Sequence, residues 1–161
     1  MPTIEHLYLD VAHQELVGAM VDGTAARFPV STAAKGLGCG AGTHQTPFGE
    51  HRIRLKIGAG CPPGAVFHGR RWTGAVLDPA LRERFPGTDW VLTRILWLQG
   101  LEPGVNRGGA VDTLRRFVYV HGTHEEDLVG HPVSFGCVRM RNADIATLFD
   151  LVAPGCRMRI E

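Results

Sequence analysis

Turn-forming residues interrupt this chain too often for long helices to dominate it. Glycine occurs 21 times and proline 10 times in 161 residues, and each marks a place where the backbone can change direction sharply. The segments between them are short, and several alternate apolar with polar side chains, the period of a strand with one buried face. "HLYLDV" puts Leu7, Leu9 and Val11 on one side, Asp22-Gly23 offers a hairpin turn before "TAARFPVS", and "EHRIRLKIG" alternates Ile53, Leu55 and Ile57. "GAVFHGRRWTG" reads as one short strand edged by turns, while "WVLTRILWL" and "RRFVYVHG" are the strongest later strands, rich in β-branched and aromatic residues. One stretch carries helical spacing: Asn142 as N-cap, then Ile145, Leu148, Phe149 and Val152, ending before Pro154-Gly155. "CRMRI" follows as a closing strand. The expectation is a mainly β sandwich or barrel with one C-terminal α-helix, in a single domain spanning residues 1–161.

Composition removes several classes of partner. Seventeen Lys and Arg against sixteen Asp and Glu leave a formal net charge of +1, so no overall field recruits nucleic acid or an anionic membrane surface. No apolar run reaches the roughly 18 residues a membrane-spanning helix needs. The opening "MPTIEHLYLDV" has no cationic stretch followed by a long apolar one and already alternates like a strand. A cytoplasmic location is expected on that basis, or a periplasmic one for a processed form. Cys39, Cys61, Cys137 and Cys156 form no CxxC pair, so free thiols are expected and a structural zinc site is not.

Two long irregular stretches remain. Residues 34–49, "AKGLGCGAGTHQTPFG", have no periodicity and read as a loop; loops this long are commonly functional. "QGLEPGVNRGGAVDT" is polar and glycine-rich and lies just upstream of His121, which makes the segment around 93–117 a candidate lid. His121 ends a predicted strand and Cys137 opens the next ordered segment. Adjacent strands would then bring a thiol to a base able to take its proton. Gly136 allows a tight turn before the thiol, and the N–H groups of Gly136 and Cys137 suit an oxyanion hole. A nearby carbonyl, that of Gly122 for example, would fix the His121 tautomer. The Arg139 fork fits a substrate carboxylate or braces the loop. A buried structural cysteine and a strand-end histidine explain the same letters equally well.

Resemblance separates these alternatives. "HGT" at His121–Thr123 followed by "GHPVSFGCVRM" at Gly130–Met140 resembles the signature of the L,D-transpeptidase (YkuD-type) catalytic domain, HG followed by S-x-G-C-[IV]-R. "LYLDVAHQEL", "FPVSTAAKG" and "GTHQTPFGEHRI" resemble that family's earlier segments in the right order. The resemblance implies Cys137 as acylated nucleophile, His121 as general base and Gly122 as the carbonyl that orients the imidazole. Ser134, Gly136 and Arg139 match the remaining motif positions, and Ser134 and Arg139 are expected to touch substrate. It implies attack on the bond between an L-centre, commonly meso-diaminopimelate, and D-Ala of a peptidoglycan stem or muropeptide. An amine or water then resolves the acyl-enzyme, and no cofactor is required. Phe135 stands where the family often has histidine. "ILWLQGLEPGVNRGG" resembles a capping segment, in which Asn106 and Arg107 are expected to touch substrate. Two other readings differ in class: a catalytically silent muropeptide-binding module, and a redox sensor pairing Cys137 with Cys39.

Overall fold

The computed structural model describes residues 3–161. Its strands are β1 (Ile4–Asp10), β2 (Glu15–Met20), β3 (Ala25–Pro29), β4 (Gly49–Ile57), β5 (Ala65–His68), β6 (Arg71–Val76), β7 (Val91–Gly100), β8 (Tyr119–Gly122), β9 (Val138–Met140) and β10 (Arg157–Ile160). Two α-helices join them, α1 (Pro79–Arg84) and α2 (Asn142–Leu151). The ten strands form one sheet in the order β3-β2-β1-β10-β4-β7-β5-β6, with β8 added to β7 and β9 to β8. The pairs β1–β10 and β8–β9 are parallel. The mainly β fold expected from the glycine-punctuated alternation is present, as one curled mixed sheet.

Curling lets one core serve almost every strand. Leu7, Leu9, Leu16, Ile53, Leu96, Leu98, Val120, Val138, Met158 and Ile160 are buried together with Ile145, Leu148 and Phe149 of α2. Each such aliphatic side chain contributes about 1.5–3 kcal/mol on burial. The α2 side chains recur at helical spacing, which is why its inward face was readable. Asn142 is the first residue of α2, one position later than a cap. Its Oδ1 accepts from Thr93 Oγ1 (2.6 Å) and its Nδ2 donates to the Thr123 carbonyl (2.9 Å), so it ties the helix start to β7 and to the end of β8.

Three other local expectations are corrected. "GAVFHGRRWTG" is a hairpin, β5 and β6 joined by Gly69-Arg70, with His68 opposite Arg71. "RRFVYVHG" becomes extended only at Tyr119, because Phe117 takes φ 56° and turns the chain. Helix α1 was not anticipated, although Asp78-Pro79 is a start signal: the Asp78 carboxylate accepts from Leu81 N–H at 2.7 Å and proline fills the first helical position.

The capping candidate is also redrawn. Residues 93–100 belong to β7, in the middle of the sheet, and the irregular part begins at Leu101. That part is pinned from inside by His51, on β4. Its Nδ1 sits 3.0 Å from the Gly49 carbonyl, so Nδ1 carries the proton, and Nε2 therefore accepts from Thr113 Oγ1 at 2.9 Å. Burial lowers the His51 pKa from 6.5 to about 4, against the opposing pull of the Gly49 carbonyl, Glu102 and Glu50. Between those two values the unfolded chain binds a proton that the folded chain refuses. Stability should therefore fall as pH drops from 6.5 to 4, by roughly 3 kcal/mol from this residue. Denaturant titrations across that window should show the slope, and His51→Gln should flatten it.

Candidate active site

Register decides which side chains share a face. In the parallel pair β8–β9, Val120 lies beside Val138, His121 beside Arg139 and Gly122 beside Met140. Val120, Val138 and Met140 are packed into the α2 core. With a side-chain period of two, Tyr119, His121, Cys137 and Arg139 therefore project from the opposite face. The cysteine at the mouth of β9 and the histidine of β8 are diagonal neighbours on that face, sixteen residues apart in sequence.

His121 is 1% exposed. Its Nδ1 lies 2.7 Å from the Gly122 carbonyl, which can only accept, so Nδ1 is protonated and Nε2 carries the lone pair. Nε2 is buried and has no partner. Burial lowers the imidazole pKa, with Arg139 adding to the fall and the Gly122 carbonyl and Asp89 opposing it. Gly122 is where no side chain fits, because a Cβ would run into the Leu92 carbonyl and Asn142 Oδ1. Asn142 and Gly122 thus fix each other and, through the carbonyl, the ring.

The Cys137 thiol is half-buried. Its sulfur accepts from Tyr119 N–H at 3.3 Å and its S–H donates to the Phe117 carbonyl at 3.5 Å. Burial pushes the thiol pKa up to about 11, with the Tyr119 N–H, Arg139 and Arg116 pulling the other way and Asp89 reinforcing the rise. A raised thiol and a lowered imidazole make the resting pair neutral. The loop before the thiol is braced from both sides. Ser134 Oγ donates to the Cys137 carbonyl (2.6 Å) and accepts from Gly136 N–H (3.2 Å), while Thr46 Oγ1 donates to the Gly136 carbonyl (3.0 Å). Gly136 takes φ 130°, a conformation that side chains disfavour.

Several expected substrate contacts are corrected by this bracing. Ser134 is 2% exposed and spends its hydroxyl inside the loop. The Gly136 N–H is committed to Ser134, which takes it out of the expected oxyanion pair. Arg139 is 3% exposed, and its guanidinium meets Asp89 at 2.9 Å and Glu125 at 3.3 Å, so its fork is already filled by carboxylates. Asn106 is fully buried: its Nδ2 donates to the Phe48 and Glu50 carbonyls, and its Oδ1 accepts from Glu102 N–H. It holds the irregular segment to β4 and cannot reach a ligand. Arg107, next to it, is exposed. Within the charged run His124–Asp127, Glu126 accepts from Asn142 N–H at 2.8 Å and Glu125 pairs with Arg139.

Thr46, Asp89 and Arg116 were not singled out from the sequence. Thr46 lies in "GTHQTPFG", a stretch the family resemblance had already marked. Arg116 donates to the Gly38 and Gln45 carbonyls and so fastens the 34–49 loop beside the thiol. Phe135 is 64% exposed, edge-on to His44 at 6.4 Å, and lines a cavity of about 360 Å³ with Ala34, Lys35 and His44.

A curled sheet that packs one face against a helix and presents a thiol and a tautomer-fixed imidazole on the other defines the class. A model of YkuD, the L,D-transpeptidase catalytic domain, matches residues 5–160, and the chain belongs to that family. It is 46% identical over 41 residues to a probable L,D-transpeptidase, YcfS, of Escherichia coli K12, which covers 26% of this chain and 13% of the relative. Two solved structures share the fold. An L,D-transpeptidase from Mycobacterium smegmatis aligns with TM-score 0.53 at 20% identity over 98% of this chain and 59% of its own. L,D-transpeptidase 3 from Mycobacterium tuberculosis, with a faropenem-derived adduct, aligns with TM-score 0.60 at 14% identity over 99% and 60%. The chain thus spans about three-fifths of these solved structures and a smaller part of the curated relative.

The neutral resting pair has a direct consequence for thiol reactivity. Alkylation of Cys137 by iodoacetamide, followed by peptide mass mapping, should keep accelerating above pH 9. A rate already level at pH 7 would mean a stable thiolate and would contradict the burial-driven shift.

Proposed function

We propose that this chain is an acyl enzyme of the L,D-transpeptidase family that opens the bond between the L-centre of a diaminopimelate-type residue and D-Ala in peptidoglycan tetrapeptides. The observation that carries the reading is the His121 Nε2 lone pair, buried, unpartnered and held by the Nδ1–H bond to the Gly122 carbonyl on the face that also bears Cys137. A buried polar atom left unpaired costs about 1–3 kcal/mol, and a base awaiting a proton accounts for that cost.

Because both groups rest neutral, proton transfer accompanies attack. The Cys137 S–H proton passes to His121 Nε2 while sulfur bonds to the scissile carbonyl carbon, whose oxygen takes up negative charge beside Cys137 N–H. Collapse breaks the C–N bond, and the imidazolium proton goes to the departing D-Ala amine, which leaves a thioester. An incoming amine or water gives its proton to Nε2, bonds to the thioester carbon and expels sulfur, which recovers the proton. The amine gives a new peptide link and water gives a tripeptide acid. Phe135 has no proton to exchange, so one imidazole serves both halves of the reaction.

Incubation with a disaccharide tetrapeptide, with and without an added D-amino acid, tests this and separates the acceptors: tripeptide alone marks hydrolysis, an exchanged tetrapeptide marks transfer. Cys137→Ala should abolish D-Ala release with little change in melting temperature, and His121→Ala should slow it by roughly 10²–10⁴-fold. Substrate binding without release, and no mass added to Cys137 by a carbapenem, would instead mean a silent binding module.

A further inference from the structure

With Arg139 consumed by Asp89 and Glu125, the carboxylate anchor of the site must be sought elsewhere, and one cation on the reactive face is uncommitted. Arg70 sits at the tip of the β5–β6 hairpin, where Gly69 has φ 55° and Arg70 itself φ 65°. A two-residue turn with both central φ angles positive favours glycine or asparagine at each place. A non-glycine residue there costs of order 1 kcal/mol or more, and such outliers cluster at ligand sites.

The arginine's surroundings say where that strained tip points. Its guanidinium carbon lies 4.8 Å from the Phe117 ring centre and 5.2 Å from that of Trp97, and its Nη1 donates to Tyr119 Oη at 3.2 Å. Both flanking residues touch the reactive sulfur through their backbones: Phe117 offers its carbonyl to the Cys137 thiol and Tyr119 its N–H. The guanidinium is therefore one aromatic side chain removed from the thiol by two independent routes. Among the described residues no carboxylate lies within ion-pair distance of Arg70. One of its five N–H donors is spent on a phenol, and the planar fork is open to a bidentate acceptor. The aromatic rings hold the cation in place without neutralising it.

We infer that Arg70 binds a carboxylate of the substrate peptide and so sets specificity for acidic stem peptides over their amidated forms. The inference rests on the peptide-substrate reading above and deepens it. Two carboxylates could supply the ligand, that of the diaminopimelate side chain and that of the terminal D-Ala.

Binding measured by calorimetry in the Cys137→Ala background needs no turnover and so separates this inference from the catalytic one. Three tetrapeptides serve as probes: both acids free, the side-chain acid amidated, and the terminal acid amidated. Arg70→Gly, which suits the turn, should weaken the free form by roughly 10- to 100-fold. It should leave unchanged whichever amidated form has lost the recognised acid, and that arm identifies the carboxylate. Arg70→Gln should behave alike, with melting temperatures held. Equal weakening of all three peptides, or no weakening of any, would overturn the assignment. Intact, charge-selective binding by a wild-type protein that releases no D-Ala would support Arg70 and sink only the enzyme.

Discussion

The pairing of Val120 with Val138 is the contact on which the rest of the site depends. Two valines bury their side chains against α2, and because a strand alternates, each commits its neighbours to the other face. Tyr119 and His121 on one strand, Cys137 and Arg139 on the other, follow without further instruction. A slip of one residue would turn the thiol into the core and a valine into the cleft. Parallel strands need a long crossover between them, and here residues 123–137 supply it, carrying the turn that Ser134, Gly136 and Thr46 brace. Core packing and site geometry are therefore one constraint seen from two sides.

On that frame the electrostatics are arranged around a neutral thiol and a neutral imidazole. Arg139 lies beside both and would favour a thiolate, but Asp89 and Glu125 neutralise it from the solvent side. Burial dominates for each group, raising one and lowering the other. A pre-formed ion pair would react at rest with any electrophile that reached it. On the mechanism we propose, a neutral pair holds its reactivity until a scissile carbonyl is in place. The bare Nε2 is the visible cost of this arrangement, and the Gly122–Asn142–Thr93 chain keeps the ring from turning to relieve it.

What the sequence disclosed, and what it hid, divides by distance along the chain. Alternation in β1 and the helical spacing of α2 were legible because burial repeats with the period of the backbone, whereas the expected run Ile53, Leu55, Ile57 breaks in β4, where a register shift after Ile53 turns Leu55 out to 42% exposure. The Cys137–His121 association was legible through its motif, whose spacing reflects the parallel crossover. Long-range charge matching was not. Asp89 meets Arg139 across fifty residues, and nothing in "GTDWV" marks that aspartate as more than a turn residue. Asn106 failed in the opposite sense: a polar residue in a glycine-rich segment looks solvent-facing, yet three backbone groups of a buried junction consume its amide. Positive φ at Phe117 and Arg70 is invisible to residue-type reasoning, since both are poor choices for the left-handed region.

Those two outliers are linked in the fold. Phe117 turns the chain so that its carbonyl reaches the thiol and its ring supports Arg70, and Arg70 turns the hairpin so that its cation reaches that ring. Neither conformation is favoured locally, and the two side chains meet with the guanidinium carbon 4.8 Å from the ring centre. The pair places a cation and an aromatic ring beside the backbone group that accepts from the Cys137 thiol. The hairpin β5–β6 adds little to the main core, but its Ala65 and Phe67 share a second apolar cluster with Tyr119 and Cys137, so it meets the site there as well as through Arg70.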